Sequence, residues 1–63
     1  MISITKLNGK EQVINCELIE IIEENPDTTI TMTTGRKIIA KESVNDVIDL
    51  VIDYKKRIYL HNR

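Results

Sequence analysis

Three turn signals, Asn8-Gly9, Asn25-Pro26-Asp27 and Thr34-Gly35, punctuate the first two thirds of the chain. That punctuation favours short strands and tight connections before Ser43. Ile2 and Ile4 alternate with Ser3 and Thr5, the period of two expected of a half-buried strand. Asn8-Gly9 then supplies the positive φ of a tight hairpin, and Glu11 to Asn15 returns with Val13 or Ile14 facing inward.

The run CELIEIIEEN satisfies two templates. Leu18, Ile21 and Ile22 share a helical face, whereas Ile19 and Ile21 alternate. The space between Asn15 and Pro26 is short for a helix and the Ile content suits a strand, entered through a tight turn near Asn15 to Glu17. Pro26 fixes its own φ and biases Asn25 away from helix, while Asp27 offers bonds to nearby amides, so this is a turn.

In strand 28 to 34, Ile30 and Met32 point one way and Thr29, Thr31 and Thr33 the other; β-branched Thr suits an exposed strand face. Thr34-Gly35 turns the chain into Arg36 to Lys41. A two-residue loop would set Thr31 opposite Ile38 and Ile30 opposite Ile39, giving this strand apolar side chains on both faces. A three-residue loop would pair Ile30 with Ile38.

Ser43-Val44-Asn45-Asp46 is an Asp version of the capping box and opens a helix expected from about Val44 to Tyr59. Val44, Val47, Ile48, Val51, Tyr54 and Ile58 form a stripe for the sheet. Leu50 lies on one flank and Ile52 and Tyr59 on the other, more apolar surface than one sheet contact needs. Lys55 sits in the stripe and must snorkel outward, and Asp53 and Arg57 are spaced for an i,i+4 pair.

The resulting expectation is one α+β domain: a small, mainly antiparallel sheet of about five short strands with two tight hairpins (about 1–41), one C-terminal helix packed across it (about 44–59) and a frayed tail (60–63). At 63 residues such a chain buries only roughly 60% of its unfolded surface. With no Phe or Trp, aliphatic side chains must supply the core. The thin core and surplus apolar surface together predict a homo-oligomer.

Chemistry is sparse. The single cysteine, Cys16, permits no internal disulfide, and the single histidine, His61, has no second His or Cys near it, so no catalytic residue, metal ligand or cofactor site is expected. Glu17, Glu20, Glu23 and Glu24 read as a solvated acidic surface. Net charge is -1, which gives no global field for nucleic acid, although Lys55-Lys56-Arg57 is a local basic run. MISITK lacks the pattern of a secretory signal and no apolar run approaches a membrane span, so a cytoplasmic location is expected.

Read together, Leu7-Asn8-Gly9, Asn15 with Leu18-Ile19-Glu20, Pro26-Asp27-Thr28, Thr34-Gly35-Arg36-Lys37 and Lys41-Glu42-Ser43 make the chain resemble the FlbD/SwrD family of small flagellar proteins over almost its whole length. Gln12 stands where that family usually has a large apolar or aromatic residue, and Thr34 where Asn usually precedes the hairpin Gly. The resemblance implies a non-catalytic role in swarming or motor power through a motor or stator component, with recruitment to the flagellar base. It marks Asn8, Gly9, Asn15, Pro26, Asp27, Gly35, Glu42 and Ser43 as structural. The candidate partner surfaces are Thr29, Thr31 and Thr33 with Ile38, and the helix end at Tyr54, Lys55, Lys56, Arg57 and Tyr59. A small nucleic-acid-binding regulator using the basic helix end is the alternative.

Overall fold

Local chemistry accounts for each element in a computed structural model whose described residues are 1–61. Strand β1 (Ile2–Thr5) pairs antiparallel with β2 (Glu11–Ile14), with Ile2 opposite Ile14 and Ile4 opposite Gln12. Ile14, not Val13, is the buried member of β2, because cross-strand partners share a face and its partner Ile2 faces the core. A short 3₁₀ turn (Cys16–Leu18) leads into β3 (Ile19–Glu24), and the Asn15 side chain accepts the Glu17 N–H at 3.0 Å to start it.

Strand β3 pairs with β4 (Thr28–Met32), which pairs with β5 (Lys37–Ala40), all antiparallel. The expected single sheet is divided into a two-stranded and a three-stranded one. A bridge between Lys6 and Ala40 and a 2.8 Å bond from the Lys41 N–H to the Thr5 carbonyl join the end of β1 to β5. An irregularity between Ile19 and Ile21 explains why the β3 run fits no simple alternation: it shifts the register, so Ile19 and Ile22 pack on the core while Ile21 turns outward.

The two hairpins are built alike. In the first, the Lys6 N–H donates to the Lys10 carbonyl at 2.8 Å and the Gly9 N–H to the Lys6 carbonyl at 2.9 Å. In the second, the same bonds run from Met32 to Arg36 and from Gly35 to Met32, at 2.8 and 2.9 Å. Each is a three-residue loop whose last residue is a glycine at positive φ, +86° at Gly9 and +92° at Gly35. Asn8 does not share that conformation; its side chain accepts the Lys10 N–H at 2.9 Å. In the turn between β3 and β4 it is the Asp27 carbonyl, not its carboxylate, that accepts the Asn25 N–H.

The three-residue loop sets Ile30 opposite Ile38 and Thr29 opposite Ile39, which decides the register between β4 and β5. Thr28, Ile30 and Met32 consequently face inward, as do Ile38 and Ala40.

Helix α1 (Val44–His61) begins where Ser43 Oγ accepts the Asp46 N–H at 3.1 Å, and the Glu24 carboxylate accepts the Val44 N–H at 3.0 Å. It lies across both sheets, contacting β1 and β3. Val47 is fully buried, and Leu50, Val51 and Tyr54 pack beside it. The buried stripe is therefore rotated from the expected one toward Leu50, leaving Ile48 and Ile58 exposed. No Gly or Pro interrupts the helix, which continues through Leu60 and His61, two positions expected in the tail; Asn62 and Arg63 lie outside the described residues.

Among the described residues, nine close the core: Ile2, Ile4, Ile14, Cys16, Ile30, Met32, Ile38, Ala40 and Val47.

Candidate partner surfaces

The outward face of the three-stranded sheet is a patchwork set by register. Thr31 lies between Ile21 and Lys37, and Thr29 between Glu23 and Ile39. Thr29 and Thr31 are half-buried by these neighbours, while Thr33 is exposed at the loop, its N–H donating to the Leu18 carbonyl at 2.7 Å. Ile38 does not belong here. It is 8% exposed and pairs with Ile30 inside the core, and the outward apolar residue of β5 is Ile39, 44% exposed. The three-residue hairpin loop causes this exchange, because a one-residue slip turns every side chain to the other face. Ile21 was hidden from sequence reasoning by the β3 irregularity.

The second surface is the distal part of α1. Tyr54 packs half-buried against the core, whereas Lys56, Arg57 and Tyr59 are exposed, Tyr59 to 75%. Lys55 reaches Glu17 beside the 3₁₀ turn, Nζ to Oε1 3.5 Å. This is the ion pair found among the described residues; Asp53 and Arg57 do not form the expected one. It also draws one cation of the basic run toward an acidic neighbour. Ile52 and the stems of Lys55 and Lys56 line a shallow groove with Tyr59. A second cleft, between α1 and β3, is lined by Cys16, Ile19, Ile22, Ile48, Val51 and Ile52. The helix flank thus presents an apolar strip from Ile48 to Tyr59.

The acidic residues divide by role. Glu20 and Glu23 are exposed on β3, whereas Glu24 receives the helix start and Glu17 receives Lys55. Glu42 accepts the Thr5 N–H on both oxygens, at 2.9 and 3.0 Å. Burial acts to raise its pKa, but the hydrogen bonds from Thr5 outweigh that and hold it below the ordinary carboxylate value. The Cys16 thiol is buried, with the Met1 amine 3.8 Å from Sγ. Among the described residues no three His, Cys, Asp or Glu side chains gather where they could hold a metal ion, and no helix is long and apolar enough to cross a membrane.

These two surfaces sit on a chain that matches the family of flagellar and swarming motility proteins designated FlbD over residues 1–59. The chain belongs to the FlbD family. Comparison with curated proteins and with solved structures finds no match to either. For this FlbD-family chain the matched span runs from β1 to the last exposed tyrosine of the helix, and so includes both candidate surfaces.

Proposed function

We propose that this flagellar motility protein is a non-catalytic accessory that raises motor output by docking onto a motor or stator component. The family match over residues 1–59 carries the reading. Docking is the mode of action best supported by the side chains, because the distinctive exposed groups are apolar and cationic surface residues. Tyr59, Lys56 and Arg57 on the projecting helix combine types favoured at binding hot spots. Thr29, Thr31 and Thr33 with Ile21 and Ile39 form a second, flatter surface.

In this reading the chain is a single domain that works in the cytoplasm and is recruited to the flagellar base. It self-associates through the strip containing Ile48, Ile52 and Tyr59, whose exposure suits an interface between copies.

The deciding experiment deletes the gene and measures filament number and motor torque separately. The expected result is normal filaments with lowered torque, restored by the wild-type chain but not by a folded Lys56→Glu/Arg57→Glu variant. Loss of the filaments themselves would assign the protein to assembly or gene regulation instead.

A further inference from the structure

A concavity of about 490 Å³ lies between the two hairpins, where Lys6, Leu7, Asn8 and Gln12 face Arg36, Lys37, Ile38 and Ile39. It differs from the other surfaces in two respects. Among the described residues its lining holds three cations, Lys6, Arg36 and Lys37, and no carboxylate. One wall is also a strand edge. Among the described residues β5 pairs with β4 along its length, and on its other side it is bridged at Ala40 by Lys6, just beyond β1, so that its open part lies toward Lys37.

The ladder shows which backbone groups that edge offers. Met32 bonds to Arg36, and alternation then turns Ile38 and Ala40 toward β4, as Arg36 is, and leaves Lys37, Ile39 and Lys41 facing away. At Lys41 the outward N–H is already taken by the Thr5 carbonyl at 2.8 Å. Among the described residues the outward N–H groups of Lys37 and Ile39 have no backbone partner in a turn or neighbouring strand. A strand edge left open in this way is a template for another strand.

We propose that the groove binds an acidic, extended segment of a protein partner, which adds to β5 as a further strand. Main-chain bonds to Lys37 and Ile39 give the segment its register. Its carboxylates meet Lys6, Arg36 and Lys37, and its apolar side chains rest on Leu7 and Ile39, both exposed at the rim. The absence of any carboxylate in the lining selects an acidic segment over a basic one. Gln12 fits the same use. It faces Ile4 across the β1–β2 ladder and places an amide at the groove wall, a position where a large apolar side chain would offer no hydrogen bond. The proposal rests on the reading of the chain as a docking protein, not on the motor as its partner; binding is measured in vitro and torque in cells, so either can fail alone.

The test titrates the isotope-labelled full chain with a synthetic capped peptide in which Glu alternates with Val, beside a Lys/Val peptide and an oligothymidylate. Saturable shifts are expected at the Lys37 and Ile39 amides, with slowed hydrogen exchange at both. Lys6→Ala/Lys37→Ala should weaken binding at least about tenfold. Ile39→Pro, which removes an outward N–H without touching a β4 bond, should abolish it. Amide exchange on the unmutated chain stands as evidence even if the proline variant does not fold. Binding without protection at Lys37 and Ile39 would overturn strand addition, equal or tighter binding of the oligothymidylate would make the groove a phosphate-backbone site, and failure of the Glu/Val peptide to bind would end the proposal.

Discussion

Glu42 binds the Thr5 backbone N–H with both carboxylate oxygens, at 2.9 and 3.0 Å, across 37 residues of chain. Beside it the Lys41 N–H reaches the Thr5 carbonyl at 2.8 Å. Both backbone groups of Thr5 are thereby used to tie β1 to the segment that precedes α1.

The first prediction follows from that charge-assisted bond. Glu42→Ala should lower stability by about 1–2 kcal/mol, within the range for hydrogen bonds to charged groups after allowance for partial exposure. The folded-state pKa of Glu42 is depressed, so its contribution is complete above the ordinary carboxylate value and is lost as pH falls through that value to the lower folded one. Denaturant midpoints measured from neutral pH downward should show the wild-type advantage over Glu42→Ala shrinking below about pH 4.3. An advantage that does not shrink would show that Thr5 does not depend on the charged form.

Register gives the second. Ile30→Val should cost about 0.5–1.5 kcal/mol and Ile38→Ala about 2–5 kcal/mol, since both side chains lie in the core. Ile39→Ala, on the outward face, should stay within about 0.5 kcal/mol. Urea unfolding separates these cases, and a larger cost at Ile39 than at Ile38 would mean the two-residue loop register is the true one.

Hairpin geometry gives the third. Neither Gly9 nor Gly35 has an atom within 4 Å of where a Cβ would stand, so substitution there is limited by backbone conformation rather than space. L-alanine at either position should destabilise by about 1–2 kcal/mol. D-alanine, introduced by chemical synthesis, should be neutral or mildly stabilising because it adopts positive φ freely and restricts the unfolded chain. Thermal melts of the two diastereomers make the comparison at constant composition.

Self-association is the fourth. Sedimentation at micromolar concentration should give a mass above that of one chain. Ile52→Asp, placed on the exposed helix flank, should return it to the monomer while leaving the backbone spectrum folded. A wild-type monomer with a concentration-independent melting temperature would exclude the helix flank as an interface between copies.

Much of this architecture was readable from local rules. Alternation in Ile2–Thr5, the glycines at the two hairpins and the Ser43–Asp46 cap each depend on a few adjacent residues, and each appears where the rule places it. What escaped depends on partners distant in sequence. The division into two sheets is made by Lys6 and Ala40, and the exchange of Ile38 for Ile39 at the outer surface hangs on one extra loop residue. The helix stripe drifted to Leu50 because periodicity marks a broad apolar face without saying which part meets the sheet. At the candidate surfaces, Lys56, Arg57 and Tyr59 could be found from their place near the helix end, whereas Ile21 could not, because the β3 irregularity that exposes it leaves no sequence mark.

The joint at Thr5 also has a consequence in time. Every strand pairing in the two sheets links neighbours along the chain, so each hairpin can close with little loop entropy. The bond from Thr5 to Glu42 instead closes a loop spanning most of the strand-forming sequence. Bringing those ends together carries more loop-closure entropy than closing either hairpin, so it is the step expected to limit the folding rate. Changes within either hairpin turn should chiefly alter how fast the native state comes apart, whereas changes at Thr5, Lys41 or Glu42 should slow its formation.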